Sequence, residues 1–235
     1  MDTANLDIIY FIKARQSNEE LRYSLRSVAK NFPHRKIWFV GEYQEGFLPN
    51  GWLKVTQNEI SKWANTSKSM LAVCLSDNED ISENFVLFND DFFIMKPLEN
   101  GFMPYYYRKT LDEQIEWLEK QNSRGYLNHI RETRKMLKDT WKPIKCYAVH
   151  YPMVINKLEM LEVMNAYPNG LMWRALYANY WKKGGVSCND CKIQNPFTTP
   201  NPDAPFFSTS DRSFRDGEVG KLIRDTFPDK CEYEK

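Results

Sequence analysis

Two adjacent carboxylates, Asp90 and Asp91, stand inside the run FVLFNDDFFIM, with bulky apolar residues on both sides. Acidic pairs usually lie in polar loops, where water solvates them; here the flanks hold them at the mouth of a hydrophobic sheet. Two like charges in such a place repel one another unless a cation or hydrogen-bond donors compensate. Ligands of open α/β sheets gather beyond the carboxyl ends of the strands. Hard carboxylate oxygens suit a divalent cation, Mn or Mg, of the kind that bridges to a substrate's phosphates. The pair is therefore expected to form a metal or phosphate site. The alternative is a turn closed by the same side chains, with Asn89 supplying its backbone geometry.

Other positions carry candidate chemistry. Arg22 and Arg26 in LRYSLRSV are one helical turn apart, so they project from one side of a helix at the edge of its apolar stripe. Guanidinium groups suit phosphate oxygens, which makes both candidates for gripping a diphosphate or a base; solvated charge on an amphipathic helix is the plainer reading. His150 follows the apolar stretch Cys146 to Val149 and precedes Pro152, with Lys157 further along. It either exchanges a proton near neutrality or serves as a structural histidine. Asp211 lies between aromatics in FFSTSDRSF, as a site carboxylate or as a turn or helix cap. Cys188-Asn189-Asp190-Cys191 has the spacing of half a zinc site, but no second Cys-x-x-Cys or His-x-x-x-His supplies the remaining ligands. The chain has no GxxxxGK[ST], GxGxxG or GxSxG, which weakens kinase, Rossmann dehydrogenase and serine hydrolase readings.

The elements that must position these residues alternate at first. Ile8 to Ile12 reads as a buried strand. Ser17 and Glu20 have capping-box spacing ahead of a helix with Leu21, Leu25, Val28 and Phe32 inward, which Pro33 stops. Lys36 to Gly41 is a second strand, residues 43 to 58 a surface loop, Ser67 to Leu75 a helix with Met70, Leu71 and Cys74 inward, and Phe85 to Phe88 a third strand. This order predicts an α/β fold: an open mixed sheet flanked by helices. Thr110 and Glu113 form another capping box, and residues 108 to 142 read as a helical insertion in the middle of the chain. Cys146 to Val149 is expected to be a strand, Lys157 to Asn165 and Leu171 to Lys182 helices, the five-proline stretch 186 to 207 a long loop, and Gly217 to Thr226 a last helix. The expected organisation is a nucleotide-sugar-binding half over 1–107, the insertion over 108–142, and an acceptor-side half of the same domain over 143–235.

Composition narrows the class. Thirty-two Lys and Arg against thirty-one Asp and Glu leave a net charge of +1 over 235 residues, which argues against a nucleic-acid partner. Aromatics at 14% exclude a disordered chain. No apolar run approaches the length of a membrane span, the opening MDTANLD lacks the marks of a signal peptide, and the five cysteines are an odd number. These features predict reduced thiols and a cytoplasmic setting.

Three islands, Glu20 to Val28, Lys36 to Val40 and Phe88 to Phe93, resemble blocks of the Stealth family, sugar-phosphate transferases related to glycosyltransferases of the GT-A type. His150-Tyr151-Pro152 with Lys157, and Phe207 to Asp211, resemble that family's later blocks. The resemblance implies a GT-A-like fold, a nucleotide-sugar donor and a divalent cation near Asp90 and Asp91. It also implies active-site roles for Arg22, Arg26 and His150. The chain is short and lacks the block that family members usually carry ahead of the first helix. The expected reaction is accordingly transfer of the sugar itself to a hydroxyl acceptor, in all expectation a glycan. Under that reading Asp90 and Asp91 hold the metal, Arg22, Arg26, Asn89 and Lys157 bind substrate, and His150 and Asp211 are catalytic. Transfer of sugar-1-phosphate, or non-catalytic saccharide binding, are the alternatives.

Overall fold

The computed structural model describes residues 3–13, 15–57, 61–77, 79–98, 103–121 and 124–235. Alternation along the first strand, β1 (Asp7–Ile12), organises the molecule. Ile8, Tyr10 and Ile12 point to one core, while Ile9 points to another on the opposite face, as the two-residue period of a strand requires. Helix α1 (Glu19–Asn31) covers the first face with Leu21, Leu25 and Val28. Strand β2 (Ile37–Gly41) returns parallel to β1, and β3 (Gly51–Lys54) adds a parallel edge. Helix α2 (Lys62–Cys74) packs Met70 and Val73 on the second face, and β4 (Asn84–Phe88) pairs with β1 from Asp7↔Phe85 onward.

The chain then leaves this sheet. Strand β5 (Phe92–Ile94) belongs to a second one. Strand β6 (Tyr106–Thr110) enters a third, and helices α3 (Leu111–Lys120) and α4 (Arg124–Met136) follow it. After β7 (Lys145–Cys146), β8 (Met153–Asn156) rejoins the first sheet antiparallel to β4. Helices α5 (Lys157–Ala166) and α6 (Trp173–Tyr180) lead to β9 (Val186–Ser187), β10 (Lys192–Ile193) and β11 (Phe206–Thr209), and α7 (Asp211–Asp216) and α8 (Glu218–Thr226) close the chain. The main sheet runs β3-β2-β1-β4-β8, the second β10-β11-β5 and the third β7-β6-β9. This is the mixed α/β sheet flanked by helices that the strand–helix order predicts. The stretch 108–142 contains the helices α3 and α4, whose Leu118, Leu127 and Ile130 join the same core as Ile9; positions 122 and 123 lie outside the described residues. Among the described residues, no helix is long and apolar enough to cross a membrane.

Several expected elements differ in ways that have physical causes. The N-cap of α1 is Asn18, whose Oδ1 accepts from the Leu21 N–H at 3.1 Å, not Ser17. Residues 51–54 pair as β3 rather than lying in a loop. Gly51 sits against the Trp38 ring, where a Cβ would come within 2.3 Å, so this glycine serves a close approach rather than a turn. Helix α2 begins earlier than expected, capped by Ser61, and Leu71 is exposed while Val73 is buried. The edge strand of the main sheet is Met153–Asn156, not Cys146 to Val149; two short apolar runs compete, and pairing of Val154 with Val86 selects the second. The proline-rich stretch 186–207 contains β9, β10 and the start of β11, whose ladders form with distant strands and leave no local period.

One feature of α1 locates the site. Ser24, Ser27 and Asn31 form a polar row beside its apolar stripe and bond the backbone edge of β5. Ser24 Oγ donates to Phe92 O at 2.6 Å, Ser27 Oγ accepts from Ile94 N at 3.0 Å, and Asn31 Nδ2 donates to Ile94 O at 2.6 Å. Strand β11 satisfies the opposite edge. Asn31→Ala should leave the Ile94 carbonyl buried and unbonded, at a cost of about 1–3 kcal/mol. Urea unfolding that shows an unchanged midpoint for this variant would exclude the helix as the anchor of β5.

Candidate active site

Asn89, Asp90 and Asp91 form the turn by which the chain steps from β4 to β5, closed by the Phe92 N–H donating to Asn89 O at 3.2 Å. Asp90 Oδ2 accepts from Asn18 Nδ2 at 3.0 Å and lies 3.8 Å from the Arg15 guanidinium. Asn18 thus caps α1 with one side-chain atom and holds Asp90 with the other. Burial raises the Asp90 pKa and the neighbouring Asp91 charge adds to this, while Asn18 and Arg15 pull it back. Asp91 Oδ2 accepts from Lys192 Nζ at 2.6 Å and from Ser208 Oγ at 3.1 Å. Its Oδ1 is buried without a hydrogen-bond partner among the described residues.

Asp211, the first residue of α7, meets the same cluster, because Arg15 lies 3.6 Å from it. Beneath them sits Glu20, buried in the first turn of α1, with Thr209 Oγ1 donating to it at 2.6 Å. Burial drives its pKa up, the Thr209 bond opposes the rise, and Asp211 adds to it, leaving the carboxyl at about 8. Glu20 is therefore mostly protonated at neutral pH, and the cluster carries one negative charge fewer than its formula suggests.

His150 follows β7 by a few residues. Its Nδ1 bonds both Asp190 carboxylate oxygens, at 3.0 and 2.9 Å, and its backbone N–H donates to Asp190 Oδ1 at 3.0 Å. Burial opposes ionisation of Asp190, but the His150 bonds and the Arg108 charge outweigh it and hold the pKa below the usual carboxylate value. The His150 ring stands edge-on to Phe92, 6.3 Å between centroids. Asp190, Cys191 and Lys192 are consecutive. The first orients His150, the second donates its thiol to His150 O at 2.8 Å, and the third binds Asp91. One short segment therefore ties His150 and the Asp pair into a single site. Arg174 completes it: its guanidinium donates to Tyr151 O, lies 3.4 Å from Asn89 Oδ1, and packs over the Phe92 ring at 5.4 Å. Burial lowers its pKa to about 10 against the pull of Asp91, so it stays charged.

The structure places the remaining expected residues elsewhere. Arg22 and Arg26 turn to Glu234 near the C-terminus: Arg22 Nη1 donates to Oε2 at 2.6 Å, and Arg26 Nε to Oε1 at 2.7 Å. Arg26 also donates to the carbonyls of Phe227 and Pro228. Both arginines thus tie the C-terminal segment to α1, in place of the diphosphate expected of them. Lys157 is buried, and its Nζ donates to the carbonyls of Ser76, Asp77 and Ile81, fastening the segment between α2 and β4. Arg15, Asn18, Glu20, Arg174, Asp190 and Lys192 join the site without having stood out in the sequence. Two of them carried a signal that pointed elsewhere: Asp190 to zinc, as part of the Cys-x-x-Cys spacing, and Glu20 to a capping box with Ser17. Among the described residues no three His, Cys, Asp or Glu side chains are grouped to hold a metal ion.

No protein-family model matches the chain, and no curated protein is similar to it in sequence, so the resemblance to the Stealth family rests on its short islands alone. Solved structures with a similar backbone exist. The glycosyltransferase GlyE of Streptococcus pneumoniae TIGR4 superposes with a TM-score of 0.48 at 8% identity, over 94% of this chain and 60% of that one. Its apo form gives the same values. An active-site mutant of LgtC superposes with a TM-score of 0.49 at 12% identity, over 97% and 98% of the two chains. The chain spans about three fifths of the length of GlyE.

Two pH dependences follow from these contacts. The folded state holds the Glu20 proton more tightly than the unfolded chain does, so its advantage is complete below about pH 4.5 and is withdrawn as pH rises through about 8. Glu20→Gln should remove that loss of stability in thermal melts across this window; an unaltered slope would mean that Glu20 is ionised in the fold. Glu234 behaves oppositely. Burial opposes its charge, but Arg26 and Arg22 overcome this and lower it to about 2, so its contribution is complete above about pH 4.5 and is lost as pH falls toward 2. Glu234→Gln should cost up to about 3 kcal/mol at neutral pH, from a shift of about two and a half units at 1.36 kcal/mol each, and make acid unfolding shallower. Retention of the wild-type acid midpoint would contradict the ion-pair assignment.

Proposed function

We propose that the protein is a glycosyltransferase that moves a sugar from a nucleotide-sugar donor to a hydroxyl acceptor. The observation that carries this reading is the segment 190–192, which brings an oriented histidine beside a strand-terminal carboxylate pair with bound cationic side chains. With the Nδ1 hydrogen bonded to Asp190, Nε2 of His150 keeps its lone pair and accepts the proton of an attacking hydroxyl. Asp190 stabilises the imidazolium that results. Arg15, Lys192 and Arg174 form a positive arc around Asn89–Asp91 and oppose the charge that collects on a departing diphosphate. The protonated Glu20 beside Asp211 keeps this arc from being cancelled.

Asp90 and Asp91 are the residues that would hold a divalent cation. The unpartnered Asp91 Oδ1 offers a lone pair, and two carboxylates suit an ion that takes its other ligands from phosphate oxygens and water. When bound, such an ion stabilises negative charge on the diphosphate. A specific observation favours a second reading: Lys192 Nζ, 2.6 Å from Asp91 Oδ2, already supplies a positive charge there. In that case the donor is held by the basic side chains alone.

Calorimetry with UDP and GDP, in Mn and in EDTA, tests both. Metal-dependent binding that Asp91→Asn abolishes supports the first reading; equal binding in both buffers, lost in Lys192→Met, supports the second. Binding of neither nucleotide in either buffer would remove the donor assignment. His150→Ala should slow release of the nucleoside diphosphate from a turned-over donor by roughly 10²–10⁴-fold with nucleotide affinity unchanged. Normal turnover with a lowered melting temperature would make His150 a structural residue.

A further inference from the structure

A cleft of about 440 Å³ opens beside the site, lined by Arg108, Gln114, Trp117, Cys188, Asn189 and Asp190 among others. Apart from Asp190 and the Arg108 beside it, the residues that line it take no part in the chemistry described above. Two donors in its walls have no partner among the described residues: Gln114 Nε2, on a side chain only 2% exposed, and Arg108 Nε. Buried donors without acceptors cost about 1–3 kcal/mol each, which the fold bears where a ligand supplies the acceptor. The backbone points the same way. Lys109, also in the wall, has φ of +48°, a left-handed conformation at a register shift in β6 that turns Arg108 and Lys109 out of simple alternation.

The lining chemistry selects a class of ligand. Asp190 is the acid in the wall, and its carboxylate is already bonded to His150 and lies 3.7 Å from Arg108. What the wall leaves without an acceptor is donor-rich, the Gln114 amide and Arg108 Nε, beside the cationic Lys109. Trp117 is 43% exposed and presents an indole to the same space, a surface on which the C–H face of a sugar ring packs. Through Asp190 the cleft adjoins His150. We propose that it binds a saccharide carrying an anionic substituent, a carboxylate or a phosphate. Trp117 packs against the ring, and Arg108, Lys109 and Gln114 receive the anion. That this saccharide is the acceptor rests on the transferase reading; the binding itself does not.

The test is calorimetry on the intact protein with glucuronate, glucose 6-phosphate, glucose and inorganic phosphate. At least one anionic sugar should bind about tenfold or more tightly than both glucose and inorganic phosphate, the scale of a charge-assisted hydrogen bond. Preference for glucuronate assigns a carboxylate, and preference for glucose 6-phosphate a phosphate. Gln114→Leu and the surface variant Trp117→Ala should each weaken that binding by about tenfold. Glucose binding as tightly as both anions, inorganic phosphate matching glucose 6-phosphate, or undiminished affinity in a folded Trp117→Ala would overturn the proposal. UDP and GDP, with Mn and with EDTA, titrated into the same samples separate the two readings: nucleotide binding without sugar binding sinks the cleft assignment alone. Sugar binding without nucleotide binding sustains the cleft and removes the transferase.

Discussion

The free edge of β5 is a row of backbone donors and acceptors that must be satisfied away from water. Helix α1 satisfies it with Ser24, Ser27 and Asn31 while burying Leu21, Leu25 and Val28 against the main sheet. One helix therefore fixes two sheets relative to each other. The turn between them, Asn89 to Asp91, has little freedom left. The same helix contributes Asn18 to Asp90 at its start and Glu20 below it, so the registration that closes the β5 edge also builds the floor of the site. Tyr10 joins this arrangement through its hydroxyl and Ser24, which links the centre of β1 to Phe92.

The site is an exercise in holding carboxyl groups together. Glu20, Asp90 and Asp91 lie partly or wholly out of water, with the exposed Asp211 at their rim, and neighbouring like charges do not all ionise without compensation. The fold answers in two ways. Cationic side chains approach from three directions: Arg15 from the end of β1, Lys192 from β10 and Arg174 from α6. A proton stays on Glu20 as well.

Arg22, Arg26 and Lys157 show how charge beside an apolar stripe can mislead. In the sequence Arg22 and Arg26 have the one-turn spacing expected of ligand-gripping cations, and Lys157 enters through the family resemblance. In the fold they close distant segments: Arg22 and Arg26 bind Glu234 across almost the whole chain length, and Lys157 gathers carbonyls between α2 and β4. A cation that satisfies buried acceptors and one that meets a substrate leave the same local pattern.

Much of the architecture was legible in the sequence because its cause is local. Ile8 to Ile12, Ile37 to Val40 and Phe85 to Phe88 are apolar on both faces, as strands in a covered parallel sheet must be, and Thr110 with Glu113 caps α3 as the spacing predicts. The Asp pair at the end of β4 was likewise visible, since apolar flanks on both sides of a carboxylate pair are a local anomaly. What tertiary structure decided was partnership. That Asp190 orients His150, that Lys192 meets Asp91 and that Glu20 keeps a proton all depend on segments far apart in the chain. Short strands such as β8, β10 and β11 escaped for the same reason. Their conformation is set by hydrogen bonds to a neighbour rather than by their own period, and no window of sequence contains the neighbour.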